Sequence, residues 1–481
     1  MKRKWKGVAA SALALVMALS MCACGGGSDG DGTTKDGLTV YPGENPVSQN
    51  GYEFTVVDFS ADHWNRDKVG QSPYADAWAK ALDEVEGLYD CKITLKQVGP
   101  SDLFNALQPE VASGGKYADL VVTTQWAYGY LMGGDLMQDL NKLTQVDWDA
   151  SYWNQNIRRI STIGGKTYAG NGSFIFDTSQ TYMLYYNDRI WKELNLPDPY
   201  ELVRSGKWTQ DKFAEFALKA NRDQDGSGAV DSLDDRWGVT TPDGDFTRAM
   251  FMGMGGHYYQ TNQETGMVEL ACNNSRTYSI IEKMAKMAKK DRSICSKTGA
   301  DWSKVVKLFT DGNALFLGNS PGVGELKNME DDWGVMPMPK LDESQESYYG
   351  SVDHNSSVFG VTITNTDLEQ TGTILNALGL HCQTLEKIYW PDYEASYWRH
   401  PEDASIIEDY VVRTGQYDIA ILMQNANKTL SSPMGQVHRA TFGTASSDFS
   451  SWVDRVQPSI DAELEKVFVN GDSVASSAEA E

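Results

Sequence analysis

The chain has 481 residues, with 42 Lys or Arg against 66 Asp or Glu and a formal net charge of −24. A hydrophobic content of 41% and an aromatic content of 11% exclude general disorder. The acid excess excludes a nucleic-acid-binding surface, which needs a net basic face. At about 100–200 residues per domain, the length predicts two or three domains.

Lys2, Arg3, Lys4 and Lys6 form a basic head, and Val8 to Met21 are almost all Ala, Leu, Val, Met or Ser. That apolar run is shorter than the ~20 residues of a membrane-spanning helix and fits a secretory signal. Met21-Cys22-Ala23-Cys24-Gly25-Gly26-Gly27 resembles the lipobox of bacterial lipoproteins. The resemblance implies a signal peptide over 1–23, cleavage after Ala23 and lipidation of Cys24. An ordinary secretory signal with two incidental cysteines is the plainer alternative. Residues 24–50 are rich in Gly, Asp, Ser, Thr and Pro and predict a flexible tether. The protein is therefore expected on the outer face of the cell membrane, held by lipid alone. The remaining cysteines, Cys91, Cys272, Cys295 and Cys382, lack CxxC spacing, which argues against zinc. Whether Cys272 and Cys295 pair stays open.

Tyr52 to Val57 alternates and is β-rich, predicting a strand. Tyr74, Trp78, Leu82 and Val85 recur at helical spacing, with Ser72 as N-cap and Gly87 as stop. Cys91 to Val98 is a second strand. Ser101 is expected to cap a short helix carrying Leu103, Phe104 and Leu107, kinked or ended by Pro109. Asp119 to Thr123 is a third strand, apolar enough for burial on both faces. This alternation predicts a parallel sheet whose carboxyl edge, at Thr124 to Tyr128, is where ligands bind. Thr181 to Asn187 opens a second α/β stretch. Thr209 caps a helix beginning Gln210-Asp211-Lys212-Phe213. Ser275 to Lys290 is a basic amphipathic helix with an Ile/Met core stripe. Ser356 to Thr364 returns as an apolar strand, and the last dozen residues are expected to fray.

Asp223 to Asp234 follows the EF-hand calcium loop pattern. Oxygen side chains fall at positions 1, 3, 5, 9 and 12 (Asp223, Asp225, Ser227, Asp231, Asp234), Gly226 is sixth, and Ala229 at position 7 offers its carbonyl. Asp234 replaces the usual Glu, and the exit at Trp237 is strand-like. The expectation is a structural Ca²⁺; a solvated acidic turn is the alternative. Gly318-Asn319-Ser320-Pro321-Gly322 matches G-x-S-x-G, but Pro321 has no N–H to give an oxyanion hole. It reads as a tight turn beside a cleft. The 14 Trp and 23 Tyr offer flat faces for sugar rings, although most such residues pack in cores. Trp126 stands out by its place at a strand's carboxyl edge.

Tyr185-Tyr186-Asn187-Asp188, Leu196-Pro197-Asp198-Pro199-Tyr200 and Gly206 to Phe213 resemble the central signature of the sugar-type (family 1) extracellular solute-binding lipoproteins of bacterial ABC transporters. Trp333 to Lys340 resembles that family's Pro-rich return segment, and Gln416 to Ile419 a C-terminal pattern. Gln210 stands where a second aromatic is common. The resemblance implies a two-lobed, periplasmic-binding-protein-like α/β fold of class II, with mixed sheets flanked by helices and a multi-strand hinge. It places 51–180 and 361–430 in the N-terminal lobe, 181–360 and 431–470 in the C-terminal lobe, and 471–481 in a disordered tail. It implies a cleft touched by Trp126, Asp177, Asn319, Ser320, Tyr349, Asp353 and His354. It further implies capture of a sugar or oligosaccharide by closure, delivery to the transmembrane subunits of an ABC permease, a monomer, and no catalysis. A secreted carbohydrate-active enzyme and a sensor lobe for a membrane kinase are the alternatives.

Overall fold

The structure is a computed structural model that describes residues 33–35, 37–60, 64, 66–175, 180–262, 264–295, 297–299, 301–443, 448–471 and 474. The signal, Cys22 and Cys24, the start of the tether, Asp177 and the final residues of the tail lie outside the described residues. The chain divides into two compact units at Val47/Ser48. In the first, Thr33–Lys35 and Leu38–Val40 form an antiparallel hairpin. The second contains everything that follows.

The first sheet is built as the strand–helix alternation predicts. Strand β1 (Tyr52–Asp58) is followed by helix α1 (Pro73–Tyr89), β2 (Cys91–Gln97), α2 (Pro100–Ala112), β3 (Leu120–Thr124) and α3 (Gln125–Gly133). β1 pairs in parallel with both β2 and β3. All five residues of β3 are buried, because helices cover both faces of such a sheet. Ser72 Oγ accepts from the Ala75 N–H at 3.2 Å, as a cap should. Gly87 does not stop α1. The helix runs on to bury Tyr89 and ends at Asp90, whose left-handed φ of 48° an aspartate tolerates. Ser101 is not the cap of α2 either: Gly99 caps it and Pro100 starts it, where a missing N–H costs nothing. Pro109 sits inside its last turn.

The second sheet joins β4 (Met183–Asn187), β5 (Trp237–Thr240), β6 (Ala314–Asn319) and β7 (Trp333–Pro337) in the order β7-β4-β6-β5. Only the β5–β6 pair is parallel, so this sheet is mixed. Around it lie α4 (Gln210–Ala220), α5 (Asp243–Gly253) and α6 (Trp302–Thr310). The aromatic residues of the central signature are its core. Trp208 and Phe213 pack on Phe316 of β6, 5.9 and 5.0 Å from it between ring centroids, and Phe216 stacks on Trp208 at 6.2 Å. Trp208 also donates its indole N–H to the Pro337 carbonyl at 2.9 Å. The signature is thus a packing pattern whose polar handles are satisfied, the Tyr186 hydroxyl donating to that of Tyr200 and the Tyr200 hydroxyl to Asp403.

Three chain segments cross between the two sheets. After β8 (Gly350–Ser351), β9 (Ser357–Gly360) returns to pair antiparallel with β3, completing the first sheet as β9-β3-β1-β2. β8 pairs in parallel with β10 (Gly415–Gln416). Thr181, on the way into β4, bridges Val352, and the Tyr182 N–H donates to the Ser351 carbonyl at 2.8 Å. Gly350 is required at this crossing: a Cβ there would lie 2.3 Å from Thr181 Cγ2 and 2.9 Å from the Val411 carbonyl oxygen. Cys272 and Cys295 are both buried and are not disulfide-bonded to each other.

Candidate functional site

β5 and β6 run in parallel, so their carboxyl ends open at the same edge. β5 leads through Thr241 and Pro242 into α5, and β6 into the turn at 318–324. The crossing segment at 353–355 closes a third side. Together they enclose a cavity of about 480 Å³, lined by Gln180, Pro242, Asp245, Trp302, the 319–325 turn, Asp353 and Asn355. Gly318 is required beneath it, because a Cβ there would lie 2.7 Å from the Phe246 ring.

A charged network forms the wall. Arg248, one turn along α5 from Asp245, is 3.0 Å from Asp353 Oδ2 and 3.1 Å from Asp245 Oδ1, all through Nη2. The Arg248 and Asp353 side chains are only 4% and 5% exposed, so the pair is essentially desolvated and depends on mutual neutralisation. His354 Nδ1 lies 3.2 Å from Asp245 Oδ1. Burial alone would raise the Asp245 carboxyl, but His354 and Arg248 outweigh it and hold it well below the usual carboxylate range. The network reaches α3, beside the first sheet, through Asn355. Its amide and backbone N–H both donate to Asp353 Oδ1, at 2.7 and 2.8 Å, and its Oδ1 accepts from the Trp126 indole at 3.1 Å. Trp126 is at the start of α3, with Tyr130 edge-on to it.

A family model described as bacterial extracellular solute-binding protein matches residues 45–366. The chain belongs to this family. No curated protein matches it by sequence. Solved structures share the fold of this solute-binding protein. The ABC substrate-binding protein from Listeria monocytogenes in complex with cycloalternan has a TM-score of 0.56 at 14% identity, over 86% of this chain and 98% of that one. The maltose/maltodextrin-binding domain from Bdellovibrio bacteriovorus bound to maltotriose has 0.53 at 15%, over 86% and 100%. The galacto-N-biose/lacto-N-biose I-binding protein from Bifidobacterium longum in complex with lacto-N-biose has 0.55 at 11%, over 87% and 98%.

Of the residues expected in the cleft of the solute-binding protein, Asn319, Ser320 and Asp353 line the cavity, and His354 and Trp126 touch lining residues. Asp177 lies outside the described residues. Tyr349 is not among the lining residues; its ring lies by Gly255, beyond the end of α5. Four residues of extended chain put about 13 Å between Tyr349 and Asp353, so one lines the cavity without the other. Ser320 Oγ is 3.5 Å from Asn319 Oδ1. Sequence reasoning missed Asp245, Arg248, Trp302 and Asn355. The available signal was a charged pair at i, i+3, Asp245 heading the apolar run Phe246 to Met254 and Arg248 inside it, which marks a polar contact within a buried helix.

In the acidic loop, Gly226 takes the left-handed φ of 76° that its sixth position requires. Asp223 Oδ1 accepts from the Gly226 N–H at 2.7 Å, and Asp225 Oδ1 from that of Ser227 at 2.9 Å. Ser227 Oγ donates to the Ala229 carbonyl at 3.0 Å. The third carboxylate drawn to Asp223 and Asp225, within 4.8 Å, is Asp235 and not Asp234. Asp234 is exposed, and Asp231 joins through its backbone N–H, 3.0 Å from Asp235 Oδ2. The exit into β5, in place of a helix, moves the inward-facing position one residue on.

Proposed function

We propose that this solute-binding protein captures a sugar or oligosaccharide in the cavity at the crossing segments. Closure of the two lobes over the solute then presents it to the transmembrane subunits of an ABC permease. The observation that carries this reading is the position of the cavity. It lies at the carboxyl ends of β5 and β6, against the segment that links the lobes, so a solute there can bias their relative orientation. Saccharide as the solute class is supported by the amide, hydroxyl and carboxylate lining beside Trp302 and Trp126, a mixture suited to hydroxyls and the apolar faces of sugar rings. The ligands in the three related structures belong to that class. No bond-making chemistry is part of the function. Calorimetry with maltotriose, lacto-N-biose and cycloalternan, followed by analysis of the recovered sugar, tests it. Saturable binding with the sugar unchanged supports capture; product formation would make the protein an enzyme.

The anchored state is part of the same reading: Cys24 carries lipid, the stretch to residue 50 tethers a monomer, and tethering raises its local concentration at the permease. Cys24→Ala should release the protein from membranes. Calcium is proposed at the 223–235 loop, where the carboxylates of Asp223, Asp225 and Asp235 form a hard-oxygen set suited to it. Its role there is to pin the loop. Melting in millimolar calcium and in chelator checks this, and equal midpoints would remove the ion.

A further inference from the structure

The charge around the cavity is one-sided. Among the described residues that line it, Asp245, Glu325 and Asp353 carry carboxylates, and none is Lys or Arg. The guanidinium nearest to it, Arg248, is 4% exposed and spends Nη2 on Asp353 and Asp245. It therefore neutralises the wall and does not present a cation to a solute.

The two aspartates are used differently. Asp353 has both oxygens engaged: Oδ1 by the two N–H groups of Asn355, and Oδ2 by Arg248 at 3.0 Å. Asp245 has only Oδ1 engaged, by Arg248 at 3.1 Å and His354 at 3.2 Å. Its Oδ2 has no partner among the described residues, and its side chain remains 29% exposed. An ionised carboxylate with free lone pairs accepts hydroxyl or ammonium donors. It repels a second anion, and more strongly in a half-buried site than in water.

We propose that Asp245 is the carboxylate that reads the solute, with Asp353 as a positioning residue. We further propose that the cavity admits neutral or amine-bearing saccharides and turns away anionic ones such as uronates and sugar phosphates. This rests on the saccharide reading above and narrows it.

The test is calorimetry on the full chain with three kinds of probe. Maltotriose, lacto-N-biose and cycloalternan are neutral, a glucosamine trisaccharide is cationic, and trigalacturonate is anionic. The best neutral or cationic probe should bind at least about tenfold more tightly than trigalacturonate. Asp245→Asn should shrink that ratio. Asp353→Asn, which leaves the Asp245 charge in place, should weaken all probes and keep the preference against trigalacturonate; a loss of that preference as large as in Asp245→Asn would overturn the assignment to Asp245. Glu325→Gln, on the exposed rim, provides a charge-removing variant should Asp245→Asn fail to fold, and must also shrink the ratio. Trigalacturonate binding as well as the best neutral probe, or an unchanged ratio in Asp245→Asn or, where that variant does not fold, in Glu325→Gln, overturns this inference alone. No binding by any probe overturns the saccharide reading and this inference with it.

Discussion

Two acidic clusters occupy the second lobe, and they are neutralised in opposite ways. In the 223–235 loop the counter-charge is backbone. Asp235 accepts N–H donors from Gln224, Asp231 and Ser232 at 2.9, 3.0 and 3.0 Å, and Asp223 from Gly226 and Gly228 at 2.7 and 2.8 Å. At the crossing segments the counter-charge is a buried guanidinium, which serves two carboxylates from one nitrogen. Backbone N–H donors wrap a carboxylate and fix its orientation. A single Arg anchors one oxygen of Asp245 and leaves the other turned to a cavity. Neutralisation by the chain itself makes a rigid turn; neutralisation by a side chain from another element makes a wall that can still accept a solute.

The largest effect expected from breaking this contrast is in Arg248→Met. It strands Asp353 without a cation in a desolvated site and should cost about 3–5 kcal/mol in denaturant unfolding. A loss below about 1 kcal/mol would mean the pair is hydrated. Asp235→Ala comes next. It leaves the N–H groups of Gln224, Asp231 and Ser232 without their acceptor and should cost about 2 kcal/mol, without changing affinity for sugar. Equal damage to binding would join the two clusters functionally. Trp126→Ala should weaken sugar binding by about 1 kcal/mol, through loss of an aromatic face and of its indole bond to Asn355. Unchanged affinity would place the solute away from Trp126. Asp235→Asn, which keeps one acceptor oxygen, reads the same cluster through pH. Burial pushes the Asp235 carboxyl up, but the surrounding N–H donors win and lower it from 3.8 to about 2. Its stabilisation is complete above the unfolded value and is lost as pH falls through about 2, so the variant should be less stable than the native protein at neutral pH and the difference should vanish on the acid limb; a pH-independent difference would contradict this.

Much of this contrast was legible in the sequence, and the reason differs by region. Alternation in Tyr52 to Val57 and the apolar run of β3 announce strands because burial there follows local spacing. The turn at Gly318 to Gly322 announces itself by composition. The acidic loop is readable from residue spacing, except that leaving into a strand exchanges Asp234 for Asp235. The Arg248 wall is different in kind. Its partners Asp245 and Asp353 are separated by more than a hundred residues and meet only because β8 and β9 carry the chain back past α5. No local pattern encodes that meeting. The same holds for Asn355 and Trp126, which share one hydrogen bond across 229 residues of sequence.

The most direct measurement is calorimetric titration of the full chain and of a Ser320→Trp variant, whose indole would fill the cavity, with the tightest sugar of the neutral panel. The account predicts one saturable site in the native protein and its loss in the variant, with the sugar recovered unaltered. Equal affinity in both would contradict it, because the solute would then be held somewhere other than the crossing cavity.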